Sequence, residues 1–190
     1  APTDSLVEAS IDSAVAEIRR IENVISEWIP NSEISNVNNN SGIQPVKVSA
    51  ELYGLIKRSK KVSELTNGAF DISWAAARNV WKFDGTMKSL PAQPVRDSLS
   101  ALINYQNIIL NDSAQTVFLG KKGMAIGLGG IGKGYAANRA KVVMKRMGVE
   151  SGIVIAGGDL ITWGRPSDGK YWPIGIADPK DPAKAIAWFE

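Results

Sequence analysis

The sequence predicts an α+β fold, helices packed on antiparallel sheet, and three observations carry that prediction. An apolar stripe with helical spacing opens the chain, at Val7, Ile11, Ala14, Ile18, Ile21, Ile25 and Trp28. Short apolar runs at 107–110, 116–119 and 124–128 then follow one another across turn sequences, as the strands of a meander do. Helical and strand patterns are grouped along the chain rather than strictly alternating, which argues against a doubly wound parallel sheet.

The first helix stops at Pro30, which cannot continue it. An Asn-rich loop is expected at 31–42, because Asn tolerates unusual backbone angles. The second helix runs from Ser49, an N-cap residue, to Leu65, with Leu52, Leu55, Ile56 and Val62 facing inward and Asn67-Gly68 closing it. A short helix at 73–81 precedes a proline-bearing loop. The meander's turns are Asn111-Asp112-Ser113 and Gly120-Lys121-Lys122-Gly123. A last helical pattern carries Tyr135, Ala136, Ala140, Val143, Met144 and Met147, and a strand is expected at 152–156. No repeat or long linker interrupts residues 1–190, so they read as one domain with enough apolar residues for a core.

Charge narrows the function. The balance of 22 Lys and Arg against 19 Asp and Glu gives +3, spread along the chain apart from Lys57-Arg58-Ser59-Lys60-Lys61. That cluster falls on the second helix and reads as a solvated face; without a basic stripe and interleaved aromatics, nucleic acid is not an expected partner. The absence of cysteine removes disulfides, Cys zinc sites and thiol chemistry. No apolar run is long enough to span a membrane.

The richest stretch is Gly127-Leu128-Gly129-Gly130-Ile131-Gly132-Lys133-Gly134-Tyr135, followed by Ala156-Gly157-Gly158-Asp159. Five glycines in eight residues let a ligand approach the backbone and permit positive φ. A glycine loop opening a helix at about Tyr135 would aim N–H groups and the helix dipole at a phosphate, with Lys133 beside it. Gly127 to Lys133 matches a P-loop until Gly134 replaces the Ser or Thr that would hold magnesium. Gly127, Gly129 and Gly132 also fit a dinucleotide fingerprint, with Asp159 as the ribose acid, but the preceding meander is the wrong context. A tight strand-to-helix junction without ligand is the plain alternative, although it needs fewer glycines.

With other segments added, the chain resembles the ApbE family of FAD:protein FMN transferases. The matching pieces are Ile25-Ser26-Glu27-Trp28, Asn31-Ser32-Glu33-Ile34, Asn38, Asn67-Gly68-Ala69-Phe70-Asp71 and Asn79-Val80-Trp81-Lys82-Phe83. Gly127 to Arg139, Ala156 to Asp159 and Trp172-Pro173-Ile174-Gly175-Ile176-Ala177-Asp178-Pro179 complete the pattern, in the family's order and over nearly the whole chain. Three features depart from it. Gly127 stands where the family commonly has Asp; the family's opening Met-Gly-Thr strand is missing before Ala1; and the family continues past Glu190 with a His-containing strand and a metal-binding Asp-Ala-Leu-x-Thr helix. The expectation is an N-terminal portion of a longer protein, or a truncated one.

The resemblance implies Mg-dependent transfer of FMN from FAD onto a Thr or Ser hydroxyl of an acceptor flavoprotein, with AMP released. FAD pyrophosphatase activity, or FAD binding and scavenging without catalysis, are the alternatives. It also implies roles for residues. Ala69, Phe70 and Asp71 bind FAD; Trp28 stacks on the nucleotide; Asn38, Gly127, Gly129 and Gly158 contact it. Lys133 pairs with the pyrophosphate or a ribose hydroxyl, Asp159 bonds the nucleotide, and the Gly130 carbonyl is one Mg2+ ligand, the rest lying past Glu190. Plainer readings stand beside these: Phe70 and Trp28 as core, Asp71 as the N-cap of the short helix, Lys133 as a surface lysine, and Asp159 as a turn cap. Family members are often exported lipoproteins, so Ala1-Pro2-Thr3 would follow a lipidated Cys and membrane contact would run through that anchor alone.

Overall fold

The computed structural model describes residues 4–81 and 85–189. Ala1-Pro2-Thr3 and the Lys82-Phe83 end of the Asn79-Val80-Trp81-Lys82-Phe83 motif therefore lie outside the described residues. The fold is α+β, and every strand pair among the described residues is antiparallel. By its contacts the chain divides into two compact units, Arg19–Gly132 and the remainder on either side of it.

The Arg19–Gly132 unit holds the end of helix α1 (Asp4–Ile25), helices α2 (Glu33–Asn39), α3 (Ala50–Leu65) and α4 (Gln93–Ser100), and a 3-10 helix at Ile72–Ala77. Its sheet is ordered β1 (Val46–Lys47), β3 (Thr116–Leu119), β2 (Ile108–Asn111). Ser49 caps α3 as expected, its Oγ accepting from the Leu52 N–H, and Asn67 and Gly68 leave the helix at φ 50° and 82°. Ile34, Leu52, Ile56, Ile108, Leu119 and Ile126 are fully buried and form the centre of this unit's core. Each such side chain contributes roughly 1.5–3 kcal/mol by leaving water.

Several local expectations are corrected here. The Asn-rich segment is not a loop: Ser32 caps α2, whose Ile34 and Val37 are buried one turn apart. The proline-bearing loop contains α4, where Pro94 sits in the first turn, the place a helix tolerates it. The helix expected at 73–81 is the 3-10 turn Ile72–Ala77. Residues 124–128 form no strand; the third strand of the sheet is β1, paired through Val46↔Val117 and Lys47↔Thr116. The basic cluster is the solvated face of α3 that was expected, Lys57, Arg58 and Lys61 being exposed, with Lys57 on Asp112, Lys60 on the Ile108 carbonyl and Lys61 on Glu64.

The other unit combines the chain up to Ile18 with residues from Lys133 onward. Helix α5 (Gly129–Arg146) buries Ala136, Ala137 and Ala140, and its Arg139 pairs with Glu17 at 2.9 Å. Two hairpins follow, β4 (Gly152–Ala156) with β5 (Asp159–Trp163), and β6 (Ile174–Asp178) with β7 (Asp181–Phe189). Gly152 makes room for the Trp163 ring, 2.7 Å from where a Cβ would stand, while the indole N–H donates to the Val149 carbonyl.

Candidate nucleotide site

The cavity of the Arg19–Gly132 unit is built from the turn between α3 and the 3-10 helix. The Thr66 hydroxyl accepts the Phe70 N–H at 3.1 Å, and Gly68, at φ 82°, reverses the chain. Asp71 then fixes the corner. Its Oδ1 accepts from the Ser73 N–H (2.8 Å) and hydroxyl (2.7 Å), and its Oδ2 accepts from the Tyr105 N–H at 2.8 Å. Asp71 is thus an N-cap, and its carboxylate already holds three donors. The half-buried Phe70 ring is directed at Gly130, its Cε2 3.0 Å from the place a Cβ would occupy.

The glycine stretch reaches this corner as an extended segment held without a partner strand. Asn38 reads Ile126 at both ends: its Nδ2 donates to the Ile126 carbonyl at 3.0 Å and its Oδ1 accepts the Ile126 N–H at 2.8 Å. The Gly127 N–H donates to the Ile72 carbonyl at 2.9 Å. Asn38 is buried and its amide is engaged, so it acts by positioning the segment.

Helix α5 starts at Gly129, within the stretch, rather than at Tyr135. None of Gly127, Gly129, Gly130, Gly132 and Gly134 has positive φ, so backbone strain is not why they are glycines. Added Cβ atoms would meet the ends of neighbouring side chains at three of them, Glu27 Oε1 at 2.6 Å from Gly127, Phe70 Cε2 at 3.0 Å from Gly130 and Ile25 Cδ1 at 2.7 Å from Gly132, so those side chains would have to shift. Gly129 has nothing within 4 Å and is exposed. As the first residue of α5, Gly129 lies outside the helix interior where glycine is costly, and it leaves bare backbone facing solvent. The first N–H groups of the helix, at Gly129 and Gly130, precede any intrahelical acceptor.

The result is a cavity of about 400 Å³ lined by Gly68, Ala69, Phe70, Asp71, Ile72, Trp74, Ile103, Gly127 and Gly130. Its size falls within the range of small-molecule sites. It brings together four predicted residues, Ala69, Phe70, Asp71 and Gly127, with Gly130, the predicted carbonyl ligand. Trp28, in the turn after α1, is exposed at 69% and so is not core. Sequence reading missed Trp74 and Ile103, which carry no motif.

Lys133, Gly158 and Asp159 belong to the other unit. Gly157 and Gly158 form the two-residue turn between β4 and β5 at φ 57° and 97°, with Ala156 paired to Asp159. The Lys133 stem passes over this turn, its Cδ 3.3 Å from a Gly157 Cβ position, and Asp159 Oδ2 lies 3.8 Å from that of Gly134. An exposed cation and an exposed carboxylate thus flank one glycine turn.

The described residues do not fit a complete magnesium site: no group of three or more Asp or Glu side chains converges among them, and Asp71 is engaged by its own donors.

Comparison with known proteins follows the same lines. The model of the ApbE family matches residues 3–190. An FAD:protein FMN transferase of Klebsiella pneumoniae (strain 342) is 31% identical over 170 residues, 89% of this chain and 52% of that protein. One from Escherichia coli (strain K12) is 24% identical over 169 residues, 87% and 48% of the two chains. The crystal structure of the ApbE protein of Thermotoga maritima MSB8 superposes with a TM-score of 0.82 at 32% identity, over 95% of this chain and 59% of that one. The apo flavinyl transferase ApbE of Pseudomonas stutzeri also gives 0.82, at 21% identity over 95% and 56%, a likeness of fold. The chain spans about half the length of the curated relatives it matches.

Proposed function

The chain belongs to the ApbE family, and on that footing we propose that it takes part in moving FMN from FAD onto a Thr or Ser hydroxyl of an acceptor flavoprotein. The observation that carries the reading is Gly129: an exposed helix glycine with nothing within 4 Å, next to a cavity in which Phe70 faces Gly130. A ligand lying against bare backbone accounts for that arrangement, and the first N–H groups of α5 suit its phosphates.

In the proposed reaction the acceptor oxygen forms a bond to the phosphorus nearer the flavin, the pyrophosphate P–O bond breaks, and AMP leaves with its bridging oxygen. The hydroxyl proton is given up as the ester forms. Phe70 supplies an apolar wall, Asp71 holds that wall's turn in place through Ser73 and Tyr105, and Asn38 fixes the segment leading to Gly127. Such transfers depend mainly on positioning and electrostatics.

Magnesium dependence is part of this proposal for the whole protein. Since its ligands are not gathered among the described residues, no step is derived through the metal. A second reading is FAD binding without turnover. An envelope location with a lipid anchor also belongs to the proposal.

The test is incubation with FAD and Mg2+, with and without a candidate acceptor protein. AMP release together with FMN covalently held by the acceptor is expected. Equal amounts of free FMN and AMP would replace transfer by hydrolysis, and saturable FAD binding with no AMP would leave the binding reading.

A further inference from the structure

Strand β2 lies at the edge of its sheet, in the order β1-β3-β2, so one side of it has no neighbouring strand among the described residues. The pairings Ile109↔Phe118 and Asn111↔Thr116, in step with the bond from the Gly120 N–H to the Asn107 carbonyl, turn the backbone groups of Ile109 and Asn111 toward β3. Ile108 and Leu110 therefore turn theirs outward. The Ile108 N–H is taken by the Tyr105 carbonyl, and the Ile108 carbonyl accepts from the Lys60 ammonium. The outward N–H and carbonyl of Leu110 have no partner among the described residues.

A groove of about 550 Å³ lies between this edge and α3. Leu110 and Gly54 line it, together with Lys57, Arg58, Lys60, Lys61 and a single carboxylate, Glu64. Arg58 is exposed and has no partner among the described residues. Lys57 and Lys61 hold Asp112 and Glu64 in exposed pairs, which are weak and exchange readily for another carboxylate. Gly54 is a second, independent sign of a ligand. It sits inside α3, where glycine costs stability relative to alanine, yet it is exposed and nothing lies within 4 Å of its Cβ position. Its φ is not positive, so neither backbone geometry nor packing demands glycine there. The bare backbone widens the groove beside the unpaired edge.

We propose that this groove docks an extended, acidic segment of a partner protein, which adds as a strand to β2 at Leu110. Strand addition to a sheet edge takes affinity from main-chain bonds and specificity from alternate side chains. Ile108 is fully buried and Ile109 is 51% exposed, so Ile108 and Leu110 mark the α3 side of the strand. An added strand alternates in the same way, and every second side chain on it meets the α3 cations. Carboxylates at those positions complement the groove's charge. Docking here is separate from the nucleotide cavity and does not depend on the flavin reading.

The test uses the full chain and a short dye-labelled peptide of alternating Glu and Thr, followed by fluorescence anisotropy. Saturable binding that weakens as salt rises is expected, with slowed hydrogen exchange of the Leu110 N–H. Combining Arg58→Glu with Lys61→Glu should weaken the peptide about tenfold or more at an unchanged unfolding temperature, both side chains being exposed. Gly54→Gln should raise the unfolding temperature through helix propensity and weaken the peptide about tenfold by filling the groove. The same peptide N-methylated at alternate residues should also bind about tenfold more weakly, because it cannot complete the main-chain bonds. Absence of saturable binding, equal affinity for the N-methylated peptide or unchanged Leu110 exchange would overturn strand addition. Binding of phosphatidylglycerol vesicles through the same cations, with none of the peptide, would replace the acidic segment by a lipid surface.

Discussion

Replacing Asn38 by Ala should damage the site without removing any atom of its wall. The Asn38 amide makes two hydrogen bonds, at 3.0 and 2.8 Å, to the carbonyl and N–H of Ile126, a residue with 0% exposure. Truncation leaves one buried acceptor and one buried donor unpaired, at roughly 1–3 kcal/mol each, or about 2–4 kcal/mol in all if a water enters part of the void. For a chain of this length about 2–4 °C accompanies each kcal/mol, so the unfolding midpoint should fall by roughly 4–16 °C. Thermal unfolding followed by circular dichroism measures this, and FAD titration below the midpoint measures the effect on the site. Affinity should drop with stability, because the segment leading to Gly127 loses its anchor. Asn38→Asp adds a control: the carboxylate still accepts from the Ile126 N–H but opposes the Ile126 carbonyl at neutral pH. Its deficit should shrink as pH falls and the introduced carboxyl becomes a donor. A shift below about 1 °C in Asn38→Ala would refute the claim that this side chain substitutes for a partner strand.

Three further outcomes follow from the same geometry. Gly129→Ala should move the unfolding midpoint by less than about 2 °C, since it opens α5 and nothing lies within 4 Å, yet weaken FAD binding; unchanged affinity would remove the ligand argument for this glycine. Trp28→Ala, at a 69% exposed position, should change stability by less than about 0.5 kcal/mol and FAD affinity by about fivefold if the ring stacks on the nucleotide, as equilibrium unfolding and titration will show. The Lys57 hydrogen bond, and then that from Tyr53, hold the Asp112 carboxyl below the usual range, a stabilisation present above the unfolded carboxylate value and lost as pH falls through the depressed folded one. Asp112→Asn should accordingly be less stable than the parent near neutral pH and converge with it in acid; a constant gap across the range would contradict the linkage.

Where structure depends on local rules the sequence was legible. Ser49 and Asn67-Gly68 marked both ends of α3, the turn at Asn111-Asp112-Ser113 separated β2 from β3, and Gly152 to Ala156 was read to the residue. Two helices escaped for local reasons as well. Asn residues masked the Ser32 cap of α2, and Pro94 suggested a break although a first-turn proline is compatible with a helix. The 124–128 segment escaped for a different reason. Its apolar run looks like a strand, but its anchor is a side chain 88 residues away, which no local pattern announces. The glycine motif misstated its own physics: Gly127 to Gly134 have no left-handed backbone and four of the five lie in α5, while Gly157 and Gly158 are the left-handed pair.

The most direct measurement is a titration of FAD into the protein, followed by quenching of flavin fluorescence, beside the Gly129→Ala variant. The account predicts saturable binding at one site per chain and a clear loss of affinity in the variant at little change in stability. No saturable binding, or the same affinity in both proteins, would contradict the claim that the bare backbone at the start of α5 is where the nucleotide lies.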